Sequence, residues 1–153
     1  MRVLIIANSP ESDASLITRC ATEADRIVVA DGAVQHLPPG VIPHAICGDF
    51  DSIELSSTKA KFPYVDFVHI PDQNYNDLEK AIEFSCGLGA TDIVVVSALG
   101  GRPDQSFATM SVLFKYCGKV ALSLRHAGMA CWPLFCSSDA EQPHSVEVRQ
   151  GAT

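Results

Sequence analysis

A chain of 153 residues, 47% apolar and 19% charged, is long enough for one domain with a real core. Its formal charge is -7 and its lysines and arginines are scattered singly, which excludes the clustered basic face that captures nucleic acid. Six cysteines with no C-x-x-C pair fit a reduced, cytoplasmic compartment; no segment reaches transmembrane length, and residues 1–7 are too short for a signal core, so no membrane partner is expected.

Residues 3–7 form a branched apolar run without alternation, as in a strand buried on both faces of a parallel sheet. A helix is predicted over 14–24, with Ser12 and Asp13 as candidate caps. The next strand, 26–30, ends in the turn Asp31-Gly32-Ala33, and the strand at 44–47 runs into Gly48-Asp49-Phe50-Asp51-Ser52. Ser52 is a candidate cap for a helix over 54–61, and the strand at 65–70 leads through the loop 71–77 into a helix over 77–86. The strand at 92–97 precedes Gly100-Gly101-Arg102-Pro103-Asp104-Gln105, then a helix over 105–116 after Asp104 and a strand at 119–124. From 125 to 153 Gly128, Pro133 and Pro143 break any period, only 145–149 hint at a strand, and a poorly ordered tail is expected, with Trp132 and Phe135 either packed or exposed. Alternating strands and helices make this an α/β layered domain, in which ligands bind beyond the carboxyl ends of the strands. The four polar turns should therefore form one acidic rim.

On an extended segment Asp49 and Asp51 point to the same side about 6 to 7 Å apart, so they can ligate one magnesium ion or flank a pair, or else only cap the following helix. Asp77 falls in the first turn of its helix, within reach of metal or phosphate-bound water. Lys80, one turn on, could touch a phosphate, although a solvated Asp77–Lys80 helix face is the favoured reading for Lys80 alone. The glycines before Arg102 let backbone approach a ligand, Arg102 offers a planar donor fork for phosphate oxygens, and Asp104 either caps the helix or joins the metal cluster. Asp31 could approach a nucleotide but reads first as a turn, Cys47 reads as core filling, and no histidine has ligand spacing. Neither a G-x-x-x-x-G-K-[ST] loop nor G-x-G-x-x-G is present, which leaves metal, Arg102 and helix N-termini to hold phosphate.

Taken in order, Ala30-Asp31-Gly32-Ala33, Gly48-Asp49-Phe50-Asp51-Ser52, Pro71-Asp72-Gln73 with Asn76-Asp77, and Gly100-Gly101-Arg102-Pro103-Asp104-Gln105 resemble the catalytic domain of thiamine pyrophosphokinases, over about residues 1–124. The Gly-Arg-x-Asp-Gln form resembles the eukaryotic branch, and Asn76 stands where the family commonly has threonine. The resemblance implies a three-layer Rossmann-like domain with a mainly parallel sheet, acting with Mg2+ and ATP: the thiamine hydroxyl attacks the β-phosphorus, the diphosphoryl group is transferred and AMP leaves. Asp49, Asp51 and Asp77 match the family's catalytic magnesium and diphosphate site, while Asp72, Gln73, Arg102, Asp104 and Gln105 match positions lining the nucleotide and the metal's outer shell. Family members continue into a β-rich C-terminal domain that binds thiamine across a homodimer, and residues 125–153 do not resemble it. A nucleotide-binding fragment or partner subunit is the alternative, and a D-x-D nucleotide-sugar enzyme a more distant one.

Overall fold

The computed structural model describes residues 1–72 and 74–132. The apolar runs become strands β1 (Arg2–Ile6), β2 (Arg26–Ala30), β3 (Ala45–Gly48), β4 (Asp66–His69), β5 (Asp92–Val96) and β6 (Ala121–His126), followed by β7 (Met129–Cys131). Helices α1 (Ala14–Thr22), α2 (Leu55–Lys61), α3 (Asp77–Gly87) and α4 (Pro103–Tyr116) alternate with them. The sheet order is β4-β3-β2-β1-β5-β6-β7, and every pairing is parallel except that of β7 on β6. The carboxyl ends of β1 to β6 consequently share one edge, and the strand order turns at the β1–β5 boundary.

Alternation along buried strands builds two cores, one on each face. Leu4, Ile6, Val29, Ile46, Val94 and Val96 pack with Leu16, Ile17 and Cys20 of α1. Val3, Ile5, Val28, Cys47, Ile93 and Val95 pack with Leu78, Ala81 and Ile82 of α3 and Val112, Leu113 and Tyr116 of α4. The result is the expected three-layer α/β domain. Ile5 lies on the central strand and is fully buried, so Ile5→Ala should cost about 3 kcal/mol in urea unfolding; a loss below about 1 kcal/mol would contradict this core.

The caps differ from those read in the sequence. Asp13 does cap α1, accepting from the Ser15 and Leu16 amides. Glu54, not Ser52, caps α2, because its longer side chain folds back onto the Ser56 and Ser57 amides. At α4 the cap position is Arg102 with Pro103 in the first turn, which places Asp104 inside the helix instead of at its cap. Asp31–His36 winds as a 3-10 helix, not a simple turn. The sheet also continues beyond Leu124, because Ala127 and Gly128, with φ of 45° and 79°, make the tight turn that folds β7 back onto β6. Trp132 is exposed. Phe135, the strand expected at 145–149 and the remainder of the expected tail lie outside the described residues, as does Gln73.

Candidate metal centre

Gly48 ends β3 beside the end of β2, and a Cβ placed on it would stand 2.4 Å from the Asp31 carboxylate carbon. Only a hydrogen there lets Asp31, 1% exposed, lie against the strand. Its Oδ1 accepts the Gly32 N–H at 2.6 Å and its Oδ2 accepts the Phe50 N–H at 2.7 Å. This second bond holds Phe50 in the left-handed region, with φ of 64°, and the ring stacks on His69 at 5.7 Å and meets Phe67 edge-on at 6.0 Å.

The Asp49-Phe50-Asp51 segment is therefore curled, where the sequence argument assumed it extended. The bend gathers three carboxylates: ligand oxygens of Asp31, Asp49 and Asp51 all lie within 4.8 Å of one another. Asp31, read first as a turn residue, thus joins the D-x-D pair. Ser52, instead of capping α2, donates its hydroxyl to Asp51 Oδ1 at 2.9 Å. An all-oxygen, multiply anionic set of this kind could hold a hard divalent cation.

The N-terminus of α3 supplies the opposite wall. Asn76 caps it with a reciprocal capping box: Asn76 Oδ1 accepts the Glu79 N–H at 2.8 Å, and Glu79 Oε2 accepts the Asn76 N–H at 3.2 Å. Asp77 is the first helical residue. Lys80 is not solvated, as its sequence context favoured, but 3% exposed, with Nζ 3.2 Å from Asp77 Oδ1 and 3.6 Å from Asp49 Oδ2. The reason is tertiary: α3 packs against β2 and β3, and the Lys80 side chain runs between the two aspartates. Asp77 thereby joins the rim through Lys80.

The electrostatics record the crowding of charge. Burial first, then the neighbouring Asp77 and Asp49 charges, push the Asp31 carboxyl up, against the pull of its two backbone N–H bonds. Burial alone would depress the Lys80 ammonium, but its hydrogen bond to Asp77 and the Asp77 and Asp49 charges outweigh that and raise it. Cys47 is pushed up to about 12 by burial and by Asp31, which makes it an inert, core-filling thiol.

The other singled-out residues stand apart from this cluster. Asp72 is exposed and closes its own loop, accepting the Asn74 N–H and side-chain amide at 2.8 Å each. Arg102 and Asp104 form a bidentate pair through one guanidinium edge, Nε donating to Oδ1 at 3.1 Å and Nη2 to Oδ2, and both side chains are exposed, as is Gln105. Their turn follows β5, three strand positions from β3 and so roughly 14 Å along the edge at a spacing of about 4.8 Å. Gly100 and Gly101 also have a packing reason: a Cβ on Gly100 would strike Glu11 at 2.5 Å and one on Gly101 would strike Pro10 at 2.8 Å. They seat the turn after β5 on the turn after β1, and the Gly101 N–H reaches Glu11 Oε1 at 3.3 Å. His44 accepts the Ile27 N–H on Nδ1 at 3.0 Å and His69 stacks on Phe50, in keeping with structural histidines. No helix among the described residues is long and apolar enough to cross a membrane.

Known proteins give this geometry a family. Thiamin pyrophosphokinase 1 of Caenorhabditis elegans is 36% identical over 101 residues, covering 58% of this chain and 40% of the worm protein. The fold matches the solved thiamin pyrophosphokinases of Geobacillus thermodenitrificans, with TM-score 0.65 and 23% identity over 82% of this chain and 59% of that one, and of Candida albicans, with TM-score 0.62 and 23% identity over 80% and 56%. The chain thus spans well under two thirds of the length of these relatives. The family model described as thiamin pyrophosphokinase, catalytic domain, matches residues 17–124, from α1 through most of β6. On that match, which takes in all four polar turns at the sheet edge, the chain belongs to the thiamin pyrophosphokinase family through its catalytic domain.

Proposed function

We propose that residues 1–124 form the magnesium- and ATP-binding unit of a cytoplasmic enzyme that moves a diphosphoryl group from ATP to the hydroxyl of thiamine. The observation that carries this is the convergence of Asp31, Asp49 and Asp51 oxygens within 4.8 Å, facing Asp77 and Lys80. Asp49, Asp51 and Asp77, with Asp31 behind them, would hold Mg2+, which when bound supplies charge neutralisation and polarises the phosphate oxygens. Lys80 would exchange its aspartate contacts for a phosphate oxygen. Arg102, released from Asp104, would clamp the far end of the polyphosphate, and the separation of the two turns suits one extended nucleotide laid along the edge. Asp72, Gln73, Asp104 and Gln105 would line it. In the transfer itself the thiamine hydroxyl oxygen forms a bond to the β-phosphorus and gives up its proton to water, the bond from the β-phosphorus to its α-side bridging oxygen breaks, and AMP departs with the electron pair. Little covalent help is needed from the protein beyond position and charge.

One feature of the geometry favours this reading over a D-x-D nucleotide-sugar enzyme: the paired Arg102–Asp104 turn has a task only in the former. Asp51 is exposed and bonded only to its neighbours among the contacts described here, so Asp51→Asn should leave the fold intact while weakening Mg2+-dependent ATP binding at least tenfold in calorimetry. Unchanged affinity would remove the D-x-D pair from the site.

A further inference from the structure

Lys115 belongs to α4, yet its ammonium ends against the loop and helix that carry Asp77 and Lys80. Lys115 Nζ lies 2.7 Å from Glu79 Oε1 and 4.8 Å above the centre of the Tyr75 ring. Glu79 is the residue whose other oxygen holds the Asn76 N–H at 3.2 Å. Its own N–H is held by Asn76 Oδ1 at 2.8 Å, and the Asn76 carbonyl accepts the Lys80 N–H at 2.9 Å. A continuous set of contacts therefore runs from α4 through Glu79 to the first turn of α3, and from there to the Asp77–Lys80–Asp49 contacts.

Glu79 is largely buried, its side chain 12% exposed, and it carries a charge that the capping bond alone does not neutralise. Lys115 provides the cation. A second tie between the same helices, the Tyr116 hydroxyl donating to Glu83 Oε1 at 2.8 Å, fixes α3 one turn further along. The first turn of α3, which carries Asp77 and Lys80, is thus contacted through Glu79 by one partly exposed lysine from another helix.

We infer that Lys115 is a positioning residue for the acidic rim: by holding Glu79 it fixes the N-terminal turn of α3, and so the placement of Asp77 and Lys80 opposite Asp49. This rests on the reading of the rim as a cation and phosphate site. Among the described residues, Lys115 contacts Glu79 and the Tyr75 and Tyr116 rings and none of the groups proposed to meet metal or substrate. A merely structural ion pair would alter global stability and nothing more; a positioning role makes a local difference.

The test compares the full chain with Lys115→Met and Lys115→Arg. Amide hydrogen exchange is read at Asn76, Glu79 and Lys80, Mg2+ alone is titrated by calorimetry, and urea unfolding is measured beside them. The expected result is exchange at those three amides at least tenfold faster in Lys115→Met, Mg2+ affinity at least fivefold weaker, and both restored in Lys115→Arg, which keeps the charge near Glu79. Faster exchange spread evenly over α3 and α4, in step with the urea midpoint, would overturn the proposal, as would unchanged exchange or unchanged Mg2+ affinity. Should the unaltered chain itself bind no Mg2+, the reading of the rim fails, and the exchange at Asn76, Glu79 and Lys80 decides by itself whether Lys115 fixes the turn.

Discussion

Gly48→Ala should abolish measurable Mg2+ binding and cost about 3 kcal/mol of stability, although it adds a single methyl group. The new Cβ would arrive 2.4 Å from the carboxylate carbon and Oδ2 of Asp31. Asp31 has nowhere to yield, being short, 1% exposed and pinned by two backbone N–H bonds. Moving it breaks hydrogen bonds to a charged group, each worth about 1.5 to 3 kcal/mol, and releases Phe50 from its left-handed conformation. The D-x-D pair then loses both its third carboxylate and its curl. Gly87→Ala is the matched control, because a Cβ there meets nothing within 4 Å and the residue ends α3; that change should be neutral or slightly stabilising. Urea unfolding and Mg2+ calorimetry on the two variants separate the effects, and a Gly48→Ala protein that still binds Mg2+ would show that Asp31 is not part of the site.

Lys80→Met should make stability depend on divalent metal. In the unaltered chain the ammonium sits between Asp49 and Asp77 and serves as the internal counterion of a rim holding four carboxylates, Asp31, Asp49, Asp51 and Asp77. Methionine keeps the hydrophobic stem and removes the charge. Asp77 is about half exposed, so solvent screens part of the loss, and the expected cost without metal is about 2 kcal/mol, below that of a fully buried pair. Millimolar Mg2+ should return most of it, since a ligand bound only by the folded state stabilises in proportion to the logarithm of its concentration. In thermal unfolding the Mg2+-induced rise in Tm should be larger in Lys80→Met than in the unaltered protein. Equal rises would mean that Lys80 does not neutralise the rim.

The layers of the fold were legible in the sequence for a physical reason: strands buried on both faces have no polar side, so β1, β2 and β5 stand out as unbroken branched runs. The D-x-D pair was legible through its spacing, and Asp77 through its place at a helix start. The place of Asp31 beside the D-x-D pair comes from β2 lying beside β3 and from the absent side chain of Gly48, neither of which a linear reading displays. An i, i+3 charge pair looks alike on an exposed helix and on one docked against a sheet, so the burial of Lys80 is equally hidden. The curl at Phe50 is hidden because a non-glycine residue at positive φ leaves no local signature; the bond that the Phe50 N–H donates to the Asp31 carboxylate accompanies it. The second role of the glycines before Arg102, seating one loop on another, is equally absent from a linear reading.

The whole account turns on whether this rim performs diphosphoryl transfer, and phosphorus NMR of the purified chain with Mg-ATP and thiamine follows that reaction directly. AMP and thiamine diphosphate should appear in equal amounts, with no AMP when thiamine is left out. AMP no faster than in the thiamine-free sample, or ADP and orthophosphate in place of AMP, would contradict it.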